Sequence, residues 1–345
     1  VRLRANAPLW IAAALCAAAV WSTCAVVGPE APGGWSAGWL LAGDRGDGAR
    51  LLAEPVRVSR PWRLVFVAKD AVPPEGDGSF WGRSWRAMRA YGERRGVEVR
   101  LVPVVCQTCV DDQVARLDAL LAEGGVDGVI LGAVDSVHLG PVVERVVAAG
   151  VPVLAYDTPV ASEATLTLVT PDNHATGRAI GEWVAARLNG QGRVALLDGS
   201  WSHQNALERR AGIIEGLGAG VDLVVSQPAR WKRHLAAEEV RRWLGGDIRL
   251  DVIIAANDAM ALGALDALEG SDMRPLVTGM DGDLDAMAAV REGRLALTVD
   301  RAAEVEGEVA VEVLLRHLEL GERFPSQVVV SEVRLVTPAS ARLSP

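Results

Sequence analysis

From Trp62 onward the chain alternates short runs of Val, Ile and Leu with longer amphipathic stretches. A strand that feeds a helix and is followed by a parallel strand has both faces covered, so it reads as a continuous apolar run rather than as an in-out alternation. The pattern predicts strands over Arg63 to Ala68, Val97 to Val105, Gly128 to Leu131, Val151 to Tyr156, Arg193 to Leu197, Leu223 to Ser226, Val252 to Ala256 and Leu276 to Gly279. Between them it predicts helices over Trp81 to Arg95, Asp111 to Glu123, Leu139 to Ala149, Ala175 to Asn189, Asn205 to Leu217, Leu235 to Leu244, Ala259 to Leu268, Leu284 to Arg291 and Ala303 to Leu320. At about 150 residues per domain, the 345 residues hold roughly two α/β, doubly wound parallel-sheet units.

Half of the residues are apolar and 23% are charged, which excludes a disordered chain and a multi-span membrane protein together. Lys plus Arg number 35 against 44 Asp plus Glu, a net charge of -9, so the cationic surface that nucleic-acid binding needs is missing from the balance.

Arg2 and Arg4 precede the uncharged run Pro8 to Val20, and Ser22, Thr23 and Ala25 follow, the layout of a signal peptide with cleavage after Ala25. The competing reading is a membrane anchor, but Pro8, Ser22 and Thr23 interrupt the apolar stretch. Cys16 and Cys24 are poor matches to a lipidation site. Residues 26–60, rich in Gly, Pro, Asp and Arg with Trp35 and Trp39 embedded, read as an irregular arm. Export to the periplasm would leave Cys106 and Cys109, in Cys-Gln-Thr-Cys, in oxidising surroundings. A disulfide between them is expected, with two free thiols or a redox motif as the alternatives.

In doubly wound sheets ligands bind beyond the carboxyl ends of the strands. Those positions carry Ser79-Phe80-Trp81, Tyr156-Asp157-Thr158, Gly199-Ser200-Trp201, Asn257-Asp258 and Met280-Asp281-Gly282, with Trp231 following a further strand. Carboxylates, amides and Arg suit hydroxyl groups, and aromatic faces cover the C–H faces of a sugar ring. The same aromatics suit a methylated amine, and any single Trp or Asp-Gly here also reads as core packing or a turn.

Ala256-Asn257-Asp258-Ala259-Met260-Ala261-Leu262-Gly263, Thr278-Gly279-Met280-Asp281-Gly282, Ser226-Gln227-Pro228-Ala229, Gly293 to Val299 and Leu207 to Gly212 resemble motifs of the type I periplasmic solute-binding proteins of the ribose-binding kind. The resemblance runs from Trp62 to about Val336. It implies two lobes joined by a three-segment hinge near Pro159 to Pro171, Thr298 to Ala303 and Phe324 to Val330. The implied N-terminal lobe is 61–160 plus 302–325, and the implied C-terminal lobe 171–300 plus 328–345. It further implies that Phe80 and Trp81 sandwich a sugar opposite Trp231, and that Asp157, Arg209, Asn257 and Asp281 hold its hydroxyls. Arg301 stands where the family usually has Gln, Thr158 replaces an Arg, and Gly78 replaces an Asn. Tyr156, Thr158, Trp201 and His203 are further candidate contacts. The region around Trp35, Trp62 and Ser79-Phe80-Trp81 also resembles the periplasmic trimethylamine-N-oxide sensors, which share the fold.

The segment before Trp62 has no pair of short amphipathic helices and no basic recognition helix, so it is not a DNA-binding headpiece. No Gly-X-Ser-X-Gly elbow or phosphate-cradling Gly-Lys-Ser/Thr loop is present, and the five His have no metal-ligand spacing. A binding protein rather than an enzyme is therefore expected, monomeric, without cofactor or metal. Its expected partners are a sugar or polyol and either the membrane permease of an ABC importer or a sensor kinase ectodomain.

Overall fold

The computed structural model describes residues 45–246, 248–330 and 334–341. The segment 1–25, expected to be a signal peptide, and Trp35 and Trp39 lie outside these residues. In chain order the elements are β1 (Arg45–Asp47), α1 (Gly48–Ala53), β2 (Arg63–Val67), α2 (Phe80–Arg95), β3 (Glu98–Val102), α3 (Val110–Glu123), β4 (Gly128–Leu131), α4 (Gly140–Ala148), β5 (Val153–Tyr156) and β6 (Leu168–Thr170). There follow α5 (Asn173–Arg187), β7 (Gly192–Asp198), α6 (Gln204–Leu217), β8 (Val221–Pro228), α7 (Arg233–Leu244), β9 (Val252–Ala255), α8 (Asp258–Leu268), β10 (Leu276–Thr278), α9 (Leu284–Arg291) and β11 (Thr298–Asp300). The chain closes with α10 (Ala303–Leu320), β12 (Gln327–Val329), β13 (Arg334–Val336) and α11 (Pro338–Ala341).

Among the described residues two parallel sheets form, in the orders β1-β12-β6-β5-β4-β2-β3 and β10-β9-β7-β8. The pleat explains the runs of Val, Ile and Leu. Leu64 and Phe66 of β2 pack against α2 and α10 on one face, while Val65 and Val67 pack against α3 and α4 on the other. The second sheet repeats the division, with Leu197 and Ile253 on one face and Leu196 and Ile254 on the other. At roughly 1.5–3 kcal/mol for each large apolar side chain fully buried, a strand covered on both faces contributes about twice what a half-exposed one does. The two lobes of an α/β binding fold are thereby present.

Helix α2 shows how local chemistry sets an element beside the cleft. The Ser79 side chain accepts from the Gly82 N–H at its start, and Gly96 ends it at φ 72°. Phe80, Trp81, Ser84, Trp85, Met88 and Tyr91, spaced three or four apart or adjacent at the start, form its buried face.

The chain passes between the sheets at three places. β6 belongs to the first sheet and α5 packs against the second, so the first passage follows Thr170, at the C-terminal end of the expected Pro159 to Pro171 segment. β11 leads through Asp300 and Ala302 into α10, which packs on α2. β12 pairs with β1 and β6 in the first sheet, and β13 then pairs antiparallel with β11. Val328 and Val329 therefore lie in the first sheet, not in a C-terminal lobe beginning at 328.

The arm is not irregular throughout. Arg45–Asp47 add to the edge of the first sheet as β1, and Gly48 lets the chain lie against Val309 and Val330, where an added Cβ would approach to 3.2 Å. Downstream of α1, the Val56 N–H donates to Glu312 and the Ser59 N–H to Glu319, each at 2.7 Å, which straps residues 56–59 onto α10.

Candidate functional site

The carboxyl ends of the two parallel sheets face each other across a cavity of about 230 Å³. That is below the roughly 300–1,000 Å³ of pockets for drug-sized ligands, so the space suits a small solute. The lobes touch around it. The Phe80 N–H donates to Asp283 at 2.6 Å, the Leu284 N–H to the Gly78 carbonyl at 3.0 Å, and Arg83 of α2 reaches the carbonyls of Asp281 and Gly282.

Charge is concentrated on the walls. Arg301 leaves the hinge after β11 and donates to Asp157 at 2.6 Å and to Asp281 at 3.1 Å, joining a carboxylate of each lobe. Arg209 on α6 spends its donors on the Ala256 carbonyl, at 2.6 Å, and on Asn173 Oδ1. Lys69, just past β2, donates to Thr158 at 2.6 Å and lies 3.9 Å from Asp157. Burial pushes the Asp157 carboxyl up, but Arg301, Lys69 and Arg209 outweigh it and hold the pKa at about 2. Burial brings Lys69 down to about 8 against the pull of Asp157, and raises Asp281 despite Arg301 and Arg209.

Aromatic rings complete the walls. Trp81 lies against Gly132, where an added Cβ would come within 2.8 Å of the indole, and Trp231 lies on Gly199 in the same way at 2.2 Å. Both glycines leave room for a flat ring to cover the end of a strand. The Arg301 guanidinium sits 4.2 Å over the Phe80 ring, so that face is taken by the cation rather than left open to a ligand. Asp157, Trp231 and Asp281 hold φ values of 60°, 64° and 127°, a region costly for residues with a Cβ.

Phe80, Trp81, Asp157, Arg209, Trp231, Asn257, Asp281 and Arg301 all line the cavity. Tyr156, Thr158, Trp201 and His203 do not. Tyr156 is wholly buried beneath Phe80 and Trp81 with its hydroxyl on Ser84, Thr158 stands behind Asp157, and His203 stands behind Trp231. Trp201 precedes α6 away from the cavity. Sequence reasoning missed Lys69, Gln107, Asn205, Lys232 and Asp283, which also line it. A signal for two of these was present, because Lys69 and Lys232 are the only lysines in a chain otherwise supplied with arginine. Cys106 and Cys109 are joined by a disulfide at the cleft rim, beside Gln107. Among the described residues no group of His, Cys, Asp and Glu is placed to hold a metal ion.

A model of the periplasmic binding protein domain matches residues 70–323. The chain belongs to that family. The ribose import binding protein of Bacillus subtilis (strain 168) is 30% identical to this binding protein over 220 residues, which is 64% of this chain and 71% of that one. The xylitol-binding protein of Mycolicibacterium smegmatis is 31% identical over 220 residues, 62% of each chain. The structure of the Caulobacter myo-inositol binding protein bound to myo-inositol superposes with a TM-score of 0.74, covering 84% of this chain and 97% of that one at 25% identity. The paired parallel sheets and these relatives place this binding protein in the type I, ribose-binding-like branch, a family of solute-binding proteins.

Proposed function

We propose that this binding protein captures a small polyhydroxylated solute, a sugar or polyol, between its lobes in the periplasm and delivers it to the permease of an ATP-driven importer. One observation carries the reading: the cavity interleaves spare donors with spare acceptors. The Asn257 Oδ1 is occupied capping α8 through the Met260 N–H, which leaves its NH₂ without a protein partner among the described residues. Lys69 spends one of its three donors on Thr158. Against these stand the unpartnered Oδ1 of Asn205 and the second carboxylate oxygen of Asp281, whose first is on Arg301. A hydroxyl group both donates and accepts, so a ligand bearing several of them satisfies such a wall where an apolar or purely cationic ligand leaves buried groups unpaired.

The cations also weigh against a methylated amine. Lys69, Arg209 and Arg301 already surround the aromatic rings, with Arg209 lying 5.2 Å and Lys69 5.8 Å from the Trp231 ring centre. A further cation there meets repulsion. Closure around the solute selects the form in which both lobes contribute.

Thermal unfolding against D-ribose, D-allose, xylitol, myo-inositol, trimethylamine N-oxide and choline tests the reading. A ligand at one hundred times its Kd stabilises the native state by about 2.7 kcal/mol, a shift of several degrees. A rise with a sugar or polyol is expected. A rise with only the two amines overturns the proposal.

A further inference from the structure

The loop between β3 and α3 reaches the cleft through one side chain. Gln107, between the two bonded cysteines, is buried to 7% exposure and lines the cavity. Its NH₂ donates to the carboxylate of Asp70, and its amide oxygen has no protein partner among the described residues. Asp70 in turn pairs with Lys232 at 3.8 Å, and Lys232 belongs to the opposite lobe, immediately before α7. Gln107, Asp70 and Lys232 thus form a polar bridge over the mouth of the cavity, and two of the three charged or amide groups are held by segments of the first lobe.

We propose that the Cys106–Cys109 disulfide is a positioning element of the ligand cleft. It holds Gln107 where its NH₂ anchors Asp70 for Lys232 and its oxygen accepts from a ligand hydroxyl. The closed cleft is consequently tighter in the disulfide-bonded protein than in the reduced one. A four-residue turn without the bond samples many backbone states, and fixing a residue in one of them carries an entropic cost that closure would otherwise have to supply. A bridge serving only to start α3, through the Gln113 N–H on the Cys109 carbonyl at 3.2 Å, would leave the cleft indifferent to its state.

The inference rests on the solute-binding reading for its ligand contact, and the experiment separates the two. Calorimetric titration with whichever of D-ribose, D-allose, xylitol and myo-inositol raises the unfolding midpoint compares the native protein, the protein reduced with tris(2-carboxyethyl)phosphine, the Cys106→Ser/Cys109→Ser variant and Gln107→Ala. In the reduction phosphorus attacks one sulfur and the S–S bond breaks. Water supplies the oxygen of the phosphine oxide and the protons that leave both cysteines as thiols. Reduction, the double variant and Gln107→Ala should each weaken binding roughly three- to tenfold, the worth of about one hydrogen bond. Reduction should add nothing in the Gln107→Ala background. Equal Kd values for the native and reduced protein, or a full reduction effect without Gln107, overturn the proposal.

A second arm needs no ligand. Reductive methylation with ¹³C-formaldehyde labels the amine of Lys232, and its methyl resonance should move when the disulfide is reduced. If none of the four polyols binds, the solute reading falls, and a Lys232 resonance unmoved by reduction overturns the positioning role independently.

Discussion

The indole N–H of Trp231 donates to Nδ1 of His203 at 2.8 Å, and the other ring nitrogen of His203 meets the Val134 carbonyl at 2.7 Å. An indole nitrogen is only a donor, so Nδ1 must accept and Nε2 must carry the proton. Burial and the nearby Lys69 ammonium hold the imidazole pKa well below its usual range, so the ring stays neutral. Val134 lies on the first lobe and Trp231 on the second, and one neutral imidazole ties them together.

Replacing His203 with Ala strands the Trp231 N–H and the Val134 carbonyl. The expected cost is about 1–3 kcal/mol for a buried unpaired group, read as a lower unfolding midpoint together with weaker ligand binding. Unchanged affinity in His203→Ala would show that Trp231 keeps its place without the imidazole.

Asp281→Ala and Trp231→Ala should each abolish ligand-induced stabilisation while circular dichroism remains that of the folded protein. Either variant still stabilised to the wild-type extent by the same sugar or polyol would remove the cleft assignment.

How much of this was legible in the sequence varies with the residue. Val65, Ile130 and Leu154 announce their strands because burial on both faces demands apolar runs. β6, β11, β12 and β13, of three residues each, are too short for a period to show, and β1, Arg-Gly-Asp, carries no apolar residue at all. They exist because a neighbouring strand offers hydrogen-bonding partners. At the site, residues directly after long strands stood out. Asn205 did not, since its role depends on α6 bringing it within 2.9 Å of Asp157 from the other lobe. That His203 would serve Trp231 from behind likewise depends on tertiary placement.

Glu306 is wholly buried 3.6 Å from Arg301, with neither carboxylate oxygen accepting a hydrogen bond. Burial, reinforced by Asp157 and Asp281 and opposed by Arg301, pushes its pKa up to about 8. A folded value above the unfolded one of about 4.3 means the stabilising term is present below that pH and disappears as the pH rises toward 8. Glu306→Gln should therefore look progressively better than wild type between pH 5 and 8 in denaturant titrations. A wild-type-to-variant difference that does not change with pH would sink this assignment.

Asp157 behaves oppositely. Held at about 2 by Arg301, Lys69 and Arg209 against the effect of burial, it contributes stability that is complete above the unfolded value of about 3.9 and is lost as the pH falls through 2. Asp157→Asn should destabilise the protein at pH 7 by about 3–5 kcal/mol, because it leaves buried cations uncompensated. The deficit should narrow in acid. Equal destabilisation at pH 7 and pH 2.5 would contradict the ion pairing.

The three cavity-lining residues at positive φ, Asp157, Trp231 and Asp281, have an evolutionary consequence. Glycine adopts those backbone angles at no steric cost, so at each position the substitution that best relaxes the chain also deletes the side chain the cavity depends on. For Asp281, whose carboxyl burial raises in pKa even beside Arg301, a population selected for heat resistance alone would drift toward glycine. One selected for capture of solute would keep the strained residues, so sequencing the survivors of the two regimes would read out where this fold trades durability for work.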